Sequence, residues 1–429
     1  MEKKEKRIIQ VNERVPLSKG IPLSIQHTFA MFSASVLVPW LFGISPSIVL
    51  LMNGIGTLIF IFMTKGKAPA YLGSSFAFLS PTFLILANPK MGYQYALGGF
   101  VVTGLVLISV AVLIKFVGTK WIDVVLPPAA MGPIIALIGL ELAGTAAENG
   151  GLKLTETYTE INPKFVIVFI VTLAVAVFGQ VLFRGFAAAI AILISIIVGY
   201  IVALCLGIVD FTPVGQASLF EVPNFLTPKF SLDAILIIVP ASLVVISEHI
   251  GHQVVTSEIV GKDLLEDPGL HRSLAADGIS TTLSGFCGAV PTTTYGENIG
   301  VMAVTKVYSV WIIGGAAVFS MILAWVGKAS ALIQTIPAPV MGGVSFLLYG
   351  MIAASGLRLL VDEKVDYSRP RNLALTSVVF VTGLSGAFIK IGSVQLTGMA
   401  LATVVGMALG LIFFVIDKLG IANDAEDTE

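Results

Sequence analysis

The chain has 429 residues, 56% of them hydrophobic and only 12% charged, with a mean hydropathy of +0.95 and a net charge of −1. A soluble domain carries ~25% charged residues and could not hide this much apolar surface, and a disordered chain would not contain it. The apolar runs are long and continuous rather than alternating over ~10 residues, which excludes a transmembrane β-barrel and leaves an all-α polytopic membrane protein.

The stretch from Met1 to Gly20 is polar and basic, and the first apolar run has no cleavage-type end, so no cleavable signal peptide is expected. A crossing needs ~20 apolar residues. Spans are therefore expected at 22–43, 46–64, 69–87, 95–117, 122–143, 164–183, 186–209, 232–259, 272–288, 290–304, 307–326, 330–354, 371–389 and 395–416, fourteen in all. With the N-terminus inside, Lys65, Lys67, Lys115, Lys120, Arg184, Lys262, Arg272, Lys306, Arg358, Lys364, Arg369 and Arg371 face the cytoplasm. Lys90, Lys153, Lys164, Lys229, Lys328 and Lys390 face outward. That segregation follows the positive-inside rule and predicts that both termini are cytoplasmic. Cys205 and Cys287 lie in separate apolar runs, so no structural disulfide is expected.

An internal repeat is visible. LPPAAMG at 126–132 resembles IPAPVMG at 336–342, an offset of 210 residues. Seven spans separate the copies, and an odd number inverts the second relative to the first. The third span (APAYLGSSFAFLSP, 68–81) and the tenth (VPTTTYGENIG, 290–300) are both short and broken by Pro and Gly. Interrupted segments at corresponding positions of two inverted halves point to a transport site at mid-membrane. Their freed backbone groups must be satisfied by protein, water or substrate, because lipid offers no partner.

Charge inside the spans is confined to a few places. Glu248, His249 and His252 fall midway along the eighth span, and Glu297 falls in the tenth. A carboxylate at that depth costs ~2.5–3.5 kcal/mol even on the lenient insertion scale, so two of them demand a reason. Glu248 and His252 are four apart and share a helix face, whereas His249 points away and reads as an interhelical hydrogen-bonding residue. Gln26 and His27 fit a structural role equally well. Glu141 and Asp277 are expected near span ends, in contact with water. Asp263 and Asp267 read as a solvated loop. The run EHIGH is not a HExxH zinc motif, no Walker loop occurs, and no Arg or Lys lies deep in a span. No metal site, catalytic residue or nucleic-acid contact is therefore expected. Two carboxylates, an imidazole and exposed backbone suit a small, planar, neutral ligand with alternating N–H and C=O groups, such as a nucleobase, and a coupled proton. Phe76 and Tyr295 could pack against its ring.

ENIGVMAVT at 297–305, together with QH at 26–27, AYLGSSFAF at 70–78, EHIGH at 248–252 and TTTYGENIG at 292–300, resembles the nucleobase–ascorbate transporter family of nucleobase:cation symporters, in its uracil-carrying bacterial branch. The resemblance runs from about Pro22 to Ile416. It implies two inverted seven-span repeats with short antiparallel strands in spans 3 and 10. It implies a core domain of spans 1–4 and 8–11 (22–118 and 211–328) and a gate domain of spans 5–7 and 12–14 (119–210 and 329–417), between cytoplasmic tails at 1–21 and 418–429. Substrate would be held by Glu248, Glu297, the backbone of Phe76 and Gly296, and by Tyr295 and Ala34. His252, Glu248 and Tyr349 would couple the proton. The expected partners are uracil, a proton, membrane lipids and a second copy through the gate domains, with no cofactor. Xanthine is the alternative substrate, although that branch usually carries an amide where Glu297 stands.

Overall fold

The computed structural model describes residues 8–154, 160–391 and 394–422. The first half contains α1 (Leu17–Phe42), α2 (Pro46–Met63), β1 (Leu72–Ser74), α3 (Leu79–Leu86), α4 (Tyr93–Val117), α5 (Lys120–Val125), α6 (Pro128–Asn149), α7 (Pro163–Leu182), α8 (Phe186–Ala189), α9 (Ala191–Cys205) and α10 (Thr212–Gln216). The second half contains α11 (Leu232–Ile238), α12 (Ala241–Val260), α13 (Leu270–Cys287), β2 (Thr292–Thr294), α14 (Gly296–Thr305), α15 (Val310–Ala324), α16 (Gly327–Gln334), α17 (Ala338–Asp362) and α18 (Pro370–Leu384). A hairpin of β3 (Phe388–Ile391) and β4 (Val394–Thr397) then leads into α19 (Gly398–Lys418).

Among the described residues, α1, α2, α4, α6, α7, the broken pair α11–α12, α17 and α19 are long and apolar enough to cross a bilayer, and Phe76–Leu86, α9 and α15 are shorter apolar helices. The α13 helix falls outside both groups for a physical reason. Ser273, Asp277, Ser280, Thr281 and Ser284 make it polar, and all five are fully buried against protein. Side chains such as Phe62, Phe116, Phe178 and Val181 stand exposed on the periphery, where hydrocarbon is the solvent.

The two halves meet about a pseudo-two-fold axis that can be followed residue by residue. A Cβ added at Gly139 would overlap the Tyr349 carbonyl, the position equivalent to Gly139 under the 210-residue offset. Gly132 abuts Gly356 and Leu360, while its equivalent Gly342 abuts Ala146 and Gly150, so α6 and α17 cross antiparallel. Such reciprocal contacts are what a two-fold axis produces. The small residues let the two backbones approach closely, which is how helices associate when lipid removes any hydrophobic preference for contact.

The same symmetry governs the interrupted segments. NGIGT at 53–57 on α2 matches DGIST at 277–281 on α13. Gly54 packs against Ala317 and Met321 of α15, and its equivalent Gly278 packs against Gly104 and Ile108 of α4. β1 and β2 pair antiparallel with Gly73 opposite Thr293, and Ser75 N–H to Pro291 O (2.9 Å) and Tyr295 N–H to Tyr71 O (3.1 Å) extend the ladder. In a two-stranded ribbon alternate residues turn their backbone groups away from the partner strand. Those of Leu72 and Thr292 are caught by threonines. Thr57 Oγ1 accepts from Leu72 N–H at 2.9 Å; Thr281 Oγ1 accepts from Thr292 N–H at 3.2 Å and donates to Thr292 O at 3.0 Å.

Outside the spans, the described N-terminal segment lies along the 306–310 connection. Ile9 N–H donates to Lys306 O and Tyr308 N–H to Ile9 O, and the Arg14 guanidinium sits 4.1 Å from the centroid of the Trp311 ring.

Candidate functional site

Each strand of the buried ribbon ends at the start of a helix. After β1 the chain passes through Ser75 into a 3₁₀ turn at Phe76–Phe78 and then α3; after β2 it passes through Tyr295 into α14. The first N–H groups of any helix have no intrahelical acceptor. Two sets of N–H groups without an intrahelical acceptor, each at the positive end of a helix, are thus set beside the ribbon. Phe76 is half-buried and packs against all four buried apolar clusters among the described residues, so it stands where the packing units converge.

Glu297 lies in the first turn of α14 and Glu248 lies midway along α12, which packs against α14. Both are half-buried, on helices that pack against each other. His252, one turn beyond Glu248, brings its Nδ1 to 3.0 Å from Thr294 Oγ1. It also lies against the exposed Gly296, where a Cβ would sit 3.2 Å from its Nε2. Among the described hydrogen bonds His252 joins α12 to β2, and none joins it to Glu248 or to Tyr349. Tyr295 is buried, with its ring over Gly73 of β1 and 6.5 Å from the Tyr71 ring, centroid to centroid. Only glycine fits at 73, because a Cβ there would enter that ring. Ala34 is buried on α1, and Tyr349 is buried on α17 in the cluster that also holds Leu79 and Phe42.

The remaining polar residues of the motifs brace this arrangement. Asn298 Oδ1 accepts from Tyr71 N–H at 3.2 Å and its Nδ2 meets His27 Nδ1 at 3.2 Å, so ENIG and QH lock α14 to β1 and α1. His249 is fully buried between Asp277 Oδ2 (2.8 Å from Nδ1) and Ser273 Oγ (2.8 Å from Nε2).

Two expectations are corrected here. Asp277 is not near water: it has no exposed surface and is paired with His249. Nor is Glu141 a solvated end-of-span residue. It is half-buried on α6, accepting from Ser80 Oγ at 2.7 Å and from Met399 N–H at 3.2 Å. Hydropathy placed both residues along the chain but could not show that a partner waits on another helix. Asp263 instead caps its own loop, and Asp267 pairs with Lys67 on the surface. Among the described residues no group of three or more His, Cys, Asp or Glu side chains gathers as a metal site.

A model described as Permease family matches residues 18–392. The chain belongs to that family. It is therefore a multi-pass membrane transporter and not an enzyme. A uracil permease of Paenibacillus larvae subsp. larvae is 58% identical over 421 residues, 97% of this chain and 99% of the relative. A uracil permease of Escherichia coli K12 is 58% identical over 427 residues, 99% of each chain. Among solved structures, the transmembrane domain of the cyanobacterial bicarbonate transporter BicA superposes with a TM-score of 0.62 at 12% identity, covering 97% of this chain and all of that one. The murine Slc26a9 anion transporter in its inward-facing state gives 0.71 at 12% identity over 95% of this chain and 69% of that one. At that identity the likeness is one of fold.

Proposed function

We propose that the chain imports uracil across the cytoplasmic membrane together with a proton, by alternating access between a core domain (22–118 and 211–328) and a gate domain (119–210 and 329–417). The fold is then fourteen spans in two inverted seven-span repeats, with both tails cytoplasmic and a second copy meeting it through the gate domains within the lipid. The observation that carries this reading is the placement of Glu248 and Glu297, on packed helices, beside the N–H groups that open the Phe76 turn and α14. Carboxylates accept from ring N–H groups, and backbone amides at helix N-termini donate to ring carbonyls. Glu248 and Glu297 hold the ring nitrogens, Phe76 and Gly296 supply amides, and Tyr295 and Ala34 line the pocket. His252, Glu248 and Tyr349 carry the proton coupling.

The full-length similarity to uracil permeases at 58% identity supports uracil over xanthine, as does a glutamate rather than an amide at 297. The test is uptake of radiolabelled uracil into membrane vesicles with and without an imposed pH gradient. Accumulation that a protonophore abolishes is expected; uptake that merely equilibrates would leave a passive pathway instead. Strong competition by xanthine would move the substrate assignment to the alternative.

A further inference from the structure

Glu141 is a half-buried acidic group that the proposed uracil site does not use. Its carboxylate has three attachments of different kinds. It is carried by α6. Its Oε2 accepts from the amide of Met399, the second residue of α19, while Gly398 (φ +54°) lies so close beneath that any Cβ would strike the carboxylate. A helix N-terminus favours negative charge, so this contact holds the carboxylate to α19. Its Oε1 accepts from Ser80 Oγ at 2.7 Å, and Ser80 belongs to α3, the helix that follows the Phe76 turn. In the core–gate reading proposed above, α6 and α19 are gate and α3 is core. Two attachments thus travel with the gate, and only the bond to Ser80 must break when the domains part.

Its surroundings repeat the pattern. Leu142, the next residue, is buried in one apolar cluster with Phe42 of α1 and Leu79 of α3. Trp40 Nε1 donates to Ile336 O at 3.2 Å, again from core to gate. Ser80, Glu141, Trp40 and Ile336 all fall on the outward half under the loop-charge orientation. On the other side of the site, Gly296, Gly300 and Val304 recur every four residues along α14 and are exposed. That stripe runs from the proposed uracil site toward the cytoplasmic end of the helix. We infer that Glu141 is a latch: its bond to Ser80 closes the outward path, and its making and breaking sets the balance between inward-open and outward-open states.

The test uses the full chain in membrane vesicles with Cys205 and Cys287 replaced by Ala. Leu142→Cys reports the outward seam. Gly300→Cys reports the cytoplasmic path, where a Cβ meets nothing within 4 Å. Each is labelled with a membrane-impermeant maleimide from its own face, in the parent and with Ser80→Ala or Glu141→Ala. Loss of a hydrogen bond to a charged group should shift the two populations by roughly tenfold or more. Labelling at 142 should rise and labelling at 300 should fall, and Ser80→Thr, which keeps the hydroxyl, should restore both rates. Unchanged rates overturn the latch. So does a rise at both positions, which is what a merely loosened fold gives. Uracil binding by the same vesicles keeps the two readings apart. Opposite labelling shifts without uracil binding sink the substrate assignment alone, and uracil binding with unchanged labelling sinks the latch alone.

Discussion

Replacing Thr57 or Thr281 by Val removes a hydroxyl and leaves the shape, which makes the ribbon's two anchoring points separately testable. In each case one strand N–H, on Leu72 or on Thr292, loses its acceptor at a position with no solvent exposure. Hydrogen bonds between transmembrane helices average only ~0.6 kcal/mol, because chains unfolded within the bilayer find other partners. That average does not apply here. A strand segment unfolded in lipid would satisfy the same N–H by turning helical, so the native ribbon must bear the cost of an unmade buried donor, ~1–3 kcal/mol. The pseudo-two-fold further requires the two substitutions to cost similar amounts, since each threonine clamps the equivalent residue. Thermal inactivation of the purified protein in detergent, followed by size-exclusion profile after heating, measures both. Val at either site should lower the midpoint by several degrees, and Ser, which keeps the hydroxyl, should recover most of the loss. A Val variant as stable as the parent at one site only would show that the ribbon is not held symmetrically. Neutral Val at both would show that the threonines are packing residues.

Glu248→Gln and Glu297→Gln should each reduce uracil affinity by roughly tenfold to a hundredfold, the worth of a hydrogen bond to a charged acceptor at ~1.5–3 kcal/mol, while the folded yield stays at the parent level; full uptake by both would refute the site. His252→Ala should lower proton-driven accumulation more than it lowers uracil binding, read as the ratio of uptake with and without a pH gradient to the binding constant of the same preparation. On the surface, the Lys67 ammonium, 2.7 Å from Asp267 Oδ1, holds that carboxyl below the usual aspartate range. A depressed folded value stabilises the protein above the ordinary aspartate pKa and is lost as pH falls through the folded value. Any stability gap between the parent and Asp267→Asn should therefore be present at pH 7 and close only in strong acid. It should be small, because the pair is exposed and salt-screened.

The membrane class was legible because a crossing requires a long apolar run and little else does. Every apolar run read from the sequence coincides with a helix or with a broken helix–strand segment. The pairing of residues across the fold was harder to see. NGIGT and DGIST share Gly, Ile and Thr at matching places, too little to notice without the contacts that make them equivalent. Asp277 and Glu141 were misplaced for a related reason. A sequence shows how polar a stretch is, whereas burial of a charge is decided by what faces it, here His249 and Ser80. The motif residues Asn298 and His27 were visible, but their part in tying α14 to β1 and α1 depends on geometry that spacing does not carry.

The symmetry itself says where chemistry can sit. Asn53 Nδ2 donates to Ser35 Oγ at 3.1 Å; the equivalent contact in the second half is Asp277 with His249. Both pairs are buried, and in both the Oδ1 of the α2 or α13 residue has no hydrogen-bond partner. One frame thus holds a neutral amide and hydroxyl on one side and an acid–base couple on the other. The residues just before them follow suit, since Ala34 precedes Ser35 on α1 and Glu248 precedes His249 on α12. A fully symmetric molecule with glutamate at both places would add a third carboxylate to the proposed site that Glu248 and Glu297 already share. With alanine at both it would have nothing to bind a polar ring or a proton. In the proposed site, placing the titratable set on one repeat and small neutral residues on the other would leave room for a ligand against Ala34 and charge to recognise it at Glu248. The ribbon and its threonine clamps can stay symmetric because they only hold backbone. The proposed site lies where the two repeats stop being copies.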